Sequence, residues 1–160
     1  MIISRREFFV KSASSLAVIS ATGLVSTIIS SCAGSGPSGP SNVSSLNIIQ
    51  GTVSNNEISI SIGSSSPVAN KNTRALVEYN NGGAAVIVEH NSDDTFSAIS
   101  GICTHQGCIV TDFDGTNNDF VCPCHGSRFD LTGNVVQGPA PSKLRTYATR
   151  VENSSLIITL

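Results

Sequence analysis

Two short segments, CTHQGC at residues 103–108 and CPCHGS at residues 122–127, hold four of the five cysteines and two of the three histidines of this 160-residue chain. Each segment pairs a cysteine with a nearby histidine, as C-x-H in the first and C-x-x-H in the second. Two loops of this kind that approach each other present two sulfurs and two imidazole nitrogens, donors that bind iron or zinc. The sequence therefore predicts a metal centre shared between two loops.

Two kinds of metal centre fit the four donors, which are Cys103, His105, Cys122 and His125. Four ligands on one tetrahedral ion make a structural zinc site. A thiolate pair on one iron and an imidazole pair on the other make a Rieske [2Fe-2S] centre. Zinc knuckles usually open with C-x-x-C rather than C-x-H, which favours the iron cluster. Two plain disulfides with incidental histidines are a third interpretation.

The spacing of the donors resembles the iron-sulfur signature of the Rieske family. Sixteen residues, 106–121, separate the C-x-H segment from the C-x-x-H segment. The dipeptide Phe129-Asp130 and the GPAP motif at residues 138–141 are similar to this family as well, the latter to the proline loop that covers its cluster. The resemblance extends over about residues 97–145.

The resemblance implies a role for each cysteine of the two segments. Cys103 and Cys122 would hold one iron, and His105 and His125 would hold the other. Cys108 and Cys124 occupy the positions that form a disulfide between the two cluster loops in exported Rieske proteins.

Four further positions would tune or cover the cluster, according to the same resemblance. Ser127 matches the residue whose hydroxyl donates to a bridging sulfide, and Pro139 belongs to the proline loop. Phe129 stands where the high-potential, quinol-oxidising members carry a tyrosine, so we expect a reduction potential in the lower or middle part of the exported class. Gln106 replaces a leucine of the quinol-complex subunits, which argues against docking into a quinol site.

The N-terminal segment, residues 1–31, is interpreted as a targeting signal rather than as part of the folded domain. Arg5 and Arg6 precede hydrophobic residues, which resembles a twin-arginine export signal, and a moderately apolar stretch follows. Export in the folded state suits a cluster assembled in the cytoplasm. We expect the domain on the exported side of a bacterial cytoplasmic membrane, where disulfides persist.

The attachment to the membrane has two interpretations. Ile29-Ser30-Ser31-Cys32 resembles a bacterial lipobox, which would make Cys32 the lipidated N-terminus. Alternatively, residues 12–31 remain as an uncleaved membrane helix, since about 20 residues span a bilayer. Residues 32–44, rich in Gly, Ser and Pro, are predicted to form a flexible linker.

The remaining residues, 45–160, are predicted to form one small all-β domain, an antiparallel Rieske-type sandwich with the cluster on a subdomain of hairpin loops. Residues 57–62 alternate strictly between isoleucine and polar residues, the pattern of a half-buried strand. Residues 76–79 and 84–89 flank Asn-Asn-Gly-Gly and predict a hairpin. Ile109 and Val110 are predicted to continue the first ligand loop as a strand.

Two groups of residues outside the clusters receive structural interpretations. His90 is expected on the surface at a strand end. Asp112, Asp114 and Asp119 could suggest a cation site, but they lack EF-hand spacing, and we expect them in a solvated loop.

The predicted function is one-electron transfer by a membrane-tethered Rieske protein. The alternatives are the iron-sulfur subunit of a bc-type quinol-cytochrome c oxidoreductase, a subunit of a molybdenum oxidase, and a zinc-stabilised binding lipoprotein. Expected partners are redox proteins such as a cytochrome or a quinol-oxidising membrane complex. Nucleic acid is not expected, because no basic run follows Lys11.

Overall fold

The computed structural model describes residues 42–160. The predicted export signal with Arg5 and Arg6, the predicted lipidation site at Cys32 and all but the last three residues of the predicted linker lie outside this range. Residues 42–160 form thirteen short strands and no α-helix, which confirms the predicted all-β fold. This range therefore also holds no apolar helix of membrane-spanning length.

The strands form two sheets. In chain order they are β1 Val43–Ser45, β2 Asn47–Gln50, β3 Thr52–Ser54, β4 Glu57–Ser61, β5 Thr73–Tyr79, β6 Ala84–His90, β7 Phe96–Ser100, β8 Asp112–Asp114, β9 Asp119–Val121, β10 Arg128–Phe129, β11 Val135–Gln137, β12 Thr146–Glu152 and β13 Ser155–Thr159. The smaller sheet has the order β1-β8-β9-β10-β11, and the larger has the order β2-β5-β6-β7-β12-β13-β4-β3. The predicted start of the domain, residue 45, falls at the end of β1.

The two ends of the larger sheet are joined through Gly51. This residue separates β2, which pairs with β5, from β3, which pairs with β4. A Cβ at Gly51 would lie 2.5 Å from Cγ2 of Ile58 and 2.9 Å from Cγ1 of Val77. The absence of a side chain thus lets one continuous segment change partner strands and roll the sheet around its interior. In this arrangement β2 and β5 form a parallel pair, whereas the other strand pairs of the sheet are antiparallel.

The predicted hairpin of β5 and β6 is confirmed. The two strands pair over seven residues, from Thr73 opposite His90 to Tyr79 opposite Ala84. Asn80 and Asn81 have φ values of 53° and 57° in the turn. Asparagine tolerates this left-handed region better than most residues, which is why the sequence marks the turn so clearly.

Strands β5, β6 and β7 are buried on both faces, and their alternate residues enter two different cores. One face contributes Val77, Val88 and Ala98 to the interior of the rolled sheet, where they meet residues of β4 and β13, including the predicted core residues Ile58 and Ile60. The opposite face contributes its residues, Leu76, Ile87 and Ile99, to a second core. This face is the platform on which the smaller sheet packs.

The second core contains the aromatic residues of the smaller sheet. Phe113 and Phe120 lie with ring centroids 5.3 Å apart, and Phe129 is fully buried in the same core. Arg74 of β5 reaches across the boundary, with its guanidinium 3.8 Å from the centroid of Phe113 and a 2.7 Å contact to the Glu89 carboxylate. The smaller sheet is therefore attached to the platform by apolar packing and by the contact of the Arg74 guanidinium with Phe113, while Glu89 of the larger sheet binds the same guanidinium.

Two local predictions are wrong. Ile109 and Val110 do not form a strand, since the first loop closes with a single bridge between Ile102 and Ile109. His90 ends β6 as predicted, but it is buried rather than on the surface. Its ring stacks on Phe96 at a centroid distance of 4.3 Å, and its Nδ1 donates to the Val68 carbonyl oxygen at 3.0 Å. The connection between β4 and β5 covers this imidazole, a long-range packing effect.

The role of Gly51 can be tested by substitution. Gly51→Ala is expected to lower the free energy of unfolding by about 1–3 kcal/mol, because the added methyl overlaps Ile58 and Val77 in a packed interior. The measurement is urea unfolding followed by circular dichroism. Gly115→Ala is the control, since a Cβ there meets only the Asn42 carbonyl oxygen at 3.9 Å; equal stability of the two variants would contradict the proposed packing.

Candidate metal centre

The first predicted ligand segment is a tight loop at the end of β7. The Cys103 N–H donates to the Cys108 carbonyl at 2.8 Å, and the Gly107 N–H donates to the Cys103 carbonyl at 2.9 Å. Gly107 has a φ of 74°, a value that glycine adopts without the steric cost a side chain would bring. These two bonds fix the loop around the Cys103 backbone.

The second ligand segment repeats this geometry between β9 and β10. The Cys122 N–H donates to the Ser127 carbonyl at 2.9 Å, and the Gly126 N–H donates to the Cys122 carbonyl at 2.9 Å. Gly126 has a φ of 73°. Each loop thus places its first cysteine at the same point of the same turn, although the histidine stands one position later in the second loop.

The thiols of Cys103 and Cys122 lie together in the second core. They are 2% and 1% exposed, and neither forms a disulfide. Burial raises the pKa of the Cys122 thiol, and the adjacent Cys103 thiol raises it further, while the backbone N–H groups of Cys124 and His125 oppose this shift. A cation at this point would favour the thiolate forms that bind metal.

The imidazoles of His105 and His125, one from each ligand loop, converge on each other. Their Nδ1 atoms are 3.3 Å apart, and the rings are perpendicular with centroids 4.7 Å apart. Two nitrogens on one tetrahedral ion, at metal–nitrogen distances of about 2.0–2.1 Å, lie about 3.4 Å apart. The Nδ1 pair therefore fits two ligands of one metal ion. His105 is half-buried and His125 exposed, so the outer edges of the rings reach the surface.

A disulfide joins the two loops. Cys108 and Cys124 are bonded in the structure, across a sequence separation of 16 residues, as the sequence predicts. Because each cysteine belongs to a different ligand loop, the bond keeps the loops together independently of any metal. Cys124 is exposed, so this tie lies at the surface.

The proline loop at residues 138–141 contacts the second ligand loop, and Ser142, which follows it, contacts the first. The Ala140 N–H donates to Ser127 Oγ at 3.0 Å, and Thr104 Oγ1 donates to the Ser142 carbonyl at 2.6 Å. Ser127 is fully buried. Since the bond from Ala140 occupies an acceptor site of the hydroxyl, the Ser127 O–H proton remains available to an acceptor inside the site.

The other predicted tuning positions lie as follows. Phe129 is fully buried in the core that contains both thiols, while Gln106, which follows His105 in the chain, and Pro139 are exposed. Pro139 follows a cis peptide bond.

Two side chains that the sequence did not single out, those of Thr104 and Gln137, position the ligand loops. Thr104 ties the first loop to the segment after the proline loop, as described above. The Gln137 side chain of β11 donates to the Gly126 carbonyl at 3.2 Å and so supports the second loop. The position of Thr104 next to His105 was the only feature of the sequence that pointed to this role, and no feature pointed to Gln137. The residues that Thr104 and Gln137 contact are distant in the chain.

The interpretation of Asp114 and Asp119 as solvated loop residues is wrong. Both are buried and bind Arg128, the residue after Ser127. Arg128 donates from Nε and Nη2 to the Asp119 carboxylate at 2.9 and 2.7 Å, and also to Asp114. Asp112 and Asp114 lie in β8 and Asp119 begins β9. Strand pairing places Asp114 opposite Asp119, so one guanidinium binds both carboxylates.

Hydrogen bonding lowers the pKa of Asp114 to about 2. The largest contribution is the Asn117 side-chain amide; burial opposes it, and bonds from Arg128 and from the backbone N–H groups of Thr116 and Asn117 reinforce it. The ionised carboxylate is therefore part of the folded state.

The fold and the site define a class of protein: a small all-β domain in which two loops present a thiol pair and an imidazole pair. The model of the Rieske [2Fe-2S] domain matches residues 60–148, more than half of the chain. The chain therefore belongs to the Rieske family, whose cofactor is a [2Fe-2S] cluster with two thiolate and two imidazole ligands. The match begins well before residue 97, and it sets the zinc alternative aside.

The relatives are iron-sulfur subunits of cytochrome b6-f complexes. The cytochrome b6-f complex iron-sulfur subunit of Prochlorococcus marinus is 39% identical over 111 residues, which is 68% of this chain and 62% of the relative. That of Chlorobaculum thiosulfatiphilum is 34% identical over 99 residues, covering 62% and 52% of the two chains. The chain spans about half the length of the curated relatives it matches.

A solved structure also resembles the domain. The cyanobacterial plasma membrane Rieske protein PetC3 from Synechocystis PCC 6803 is 33% identical, with a TM-score of 0.51. The match covers 63% of this chain and 99% of that protein. The resemblance therefore includes the whole of the smaller protein.

The lowered pKa of Asp114 predicts acid sensitivity. A carboxyl whose pKa falls from 3.8 to about 2 on folding stabilises the protein above pH 4, and this contribution is lost as the pH falls from about 4 towards 2. Asp114→Asn should make the free energy of unfolding less dependent on pH across this interval. Urea titrations of the cluster-free protein at a series of pH values measure the slope, and an unchanged slope would show that Asp114 is not linked to folding.

Proposed function

We propose that the chain is a one-electron carrier, a Rieske protein tethered to the exported side of a bacterial membrane. Cys103 and Cys122 would hold one iron of the cluster through sulfur, and His105 and His125 would hold the other through Nδ1. The observation that supports this best is the 3.3 Å approach of the two Nδ1 atoms beside two buried thiols.

The cluster supplies one-electron chemistry at a potential between about −150 and +300 mV, the range of Rieske centres. The protein would surround the cluster unequally, with its sulfur side buried and its histidine side near the surface. Cys103 and Cys122 are buried, so water is excluded from the sulfur side. The outer edges of His105 and His125 reach the surface and form the shortest route to a partner. Neutral imidazoles in place of two thiolates leave less negative charge on the site, which makes the uptake of an electron easier.

Attachment to the membrane completes the proposal. The twin-arginine pattern at Arg5 and Arg6 would direct export, and Cys32 would carry a lipid, or residues 12–31 would remain as a helix. The disulfide between Cys108 and Cys124 suits an oxidising compartment. The similar PetC3 protein belongs to the plasma membrane, which supports attachment to a membrane.

A second candidate function is favoured by the names of the relatives, which are subunits of cytochrome b6-f complexes. In this case the chain would be the iron-sulfur subunit of a quinol-oxidising complex. Two residues argue against it: Gln106 offers a polar amide at the exposed end of the first loop, and Phe129 lacks the hydroxyl of the high-potential members. Co-purification of a cytochrome b from solubilised membranes would support this second candidate.

The carrier function is tested on the full chain, matured in a host that assembles iron-sulfur clusters. We expect iron and acid-labile sulfide in equal amounts, and a paramagnetic resonance of mixed nitrogen and sulfur coordination after reduction. His105→Ala and His125→Ala should each abolish this signal, because each removes a ligand.

The control for these substitutions is Gln106→Ala, which changes an exposed neighbour of His105 without removing a ligand. It should retain the full signal. Wild-type protein that is colourless and contains stoichiometric zinc would refute the proposal.

The tuning residues provide a further prediction. Ser127→Ala should lower the reduction potential on the order of 60–130 mV, because a hydrogen bond to a charged acceptor contributes about 1.5–3 kcal/mol and 59 mV corresponds to about 1.4 kcal/mol for one electron. Phe129→Tyr should raise the potential by adding a donor. Potentiometric titration measures both shifts, with Ser64→Ala in the exposed β4–β5 connection as the control; an unchanged potential in both variants would contradict this account of the tuning.

A further inference from the structure

The two ligand loops and the stretch that contacts them through Ala140 and Ser142 form one surface, made of residues 103–108, 122–127 and 138–145. We refer to this surface as the tip. Its exposed residues include Gln106 and Pro139, together with His125. None of the three segments contains an aspartate or a glutamate, although the domain as a whole is acidic.

The charges of residues 42–160 are distributed unevenly. This range holds six lysines and arginines and ten aspartates and glutamates, a net charge of −4. Four of the six cations are neutralised by ion pairs in the structure: Lys71 with Asp94, Arg74 with Glu89, Arg128 with Asp114 and Asp119, and Arg150 with Glu57 and Glu152. Within the described range, Lys143 and Arg145 are the cations without such a pair, and both belong to the tip.

Lys143 and Arg145 are held close to the ligand loops by neighbouring bonds. The Ser142 carbonyl accepts from Thr104 at 2.6 Å, which places Lys143 one residue from a contact with the first loop. The Arg145 carbonyl accepts from the Ser100 N–H at 2.7 Å, next to the strand end that leads into that loop. Both side chains are exposed.

Two carboxylates of neighbouring elements lie outside the tip and are engaged by other side chains. Glu78 accepts from Gln50 at 3.2 Å, and Asp112 accepts from Ser45 at 3.0 Å. Because these donors are neutral, both carboxylates keep their charge, but neither belongs to the tip. Lys143 and Arg145 are therefore the charges that a partner meets within the tip itself, whereas the net charge of −4 acts mainly at longer range.

We infer that the tip binds a redox partner whose electron-transfer site is bordered by carboxylates, with Lys143 and Arg145 as the contacts that select it. This inference rests on the proposed electron-transfer function. Complementary charges at the rim of an interface mainly raise the association rate and fix the orientation. The inferred partner surface is acidic. The net charge of the domain alone would instead favour a basic partner surface.

The experiment uses the reduced, cluster-containing full chain in neutral detergent and two small oxidants of opposite charge. Hexacyanoferrate(III) is a trivalent anion and tris(phenanthroline)cobalt(III) is a trivalent cation. Each accepts one electron from the protein without proton transfer, and stopped-flow absorbance gives the second-order rate constant as the ionic strength is varied. The local charge at the electron exit determines the sign of the salt dependence.

The expected result for the wild type is a rate with hexacyanoferrate(III) that falls as salt is added, and a rate with the cobalt complex that rises. Lys143→Gln and Arg145→Gln should each slow the reaction with hexacyanoferrate(III) at low ionic strength by about threefold to tenfold. Their potentials are measured in parallel, so that a change in driving force is separated from a change in encounter rate.

Lys71→Gln is the matched control. It removes the same charge, but Lys71 contacts Asp94 at 2.6 Å in the turn before β7, at the end of that strand opposite the ligand loops. Its effect should be smaller than about twofold. Equal effects of Lys71→Gln and Lys143→Gln, or a rate with hexacyanoferrate(III) that rises with salt, would overturn the inference.

Failure of the underlying function is recognised separately. The reduced protein is first checked for its paramagnetic signal. A missing signal refutes the electron-transfer function and with it this inference, whereas a normal signal with the wrong salt dependence refutes the inference alone.

Discussion

Two pairs of backbone hydrogen bonds, one pair in each ligand loop, are the constraint on which the site depends. They fold residues 103–108 and residues 122–127 into the same turn around Cys103 and Cys122. Once both turns exist, the sulfurs face the core and the imidazoles face outward. The disulfide between Cys108 and Cys124 then has to link only two loops that are already shaped.

The larger sheet makes this arrangement possible because its central strands are buried on both faces. One face closes the interior of the rolled sheet, and the other supports the smaller sheet through residues such as Leu76 and Ile87. The smaller sheet has strands of only two or three residues, too short to be stable alone. Its aromatic residues and the contact of Arg74 with Phe113 anchor it to the platform, so the site inherits the rigidity of the larger sheet.

The elements that the sequence predicted correctly are those encoded by local patterns. The alternating isoleucines of β4 and the asparagines of the β5–β6 turn each concern residues close in the chain, where side-chain periodicity and φ preferences act directly. The sequence did not predict the burial of His90 or the ion pairs that Arg128 forms with Asp114 and Asp119. The partners of these residues belong to other elements of the fold. A polar residue near glycines or asparagines is therefore predicted to lie in a loop, and only the assembled fold shows that it is buried.

The amino-acid sequence by itself determined that the chain forms short strands rather than helices, and it placed two cysteines and two histidines at the spacing of Rieske ligands. The disulfide between Cys108 and Cys124 was implied by the resemblance to that family. The tertiary structure decided how these groups are used. It brought Ser142, the neighbour of Lys143, into contact with Thr104 of the first ligand loop, directed Ser127 towards the interior and rolled the larger sheet at Gly51. These outcomes depend on contacts between residues far apart in the chain, and the geometry of such contacts is set by packing rather than by local preference.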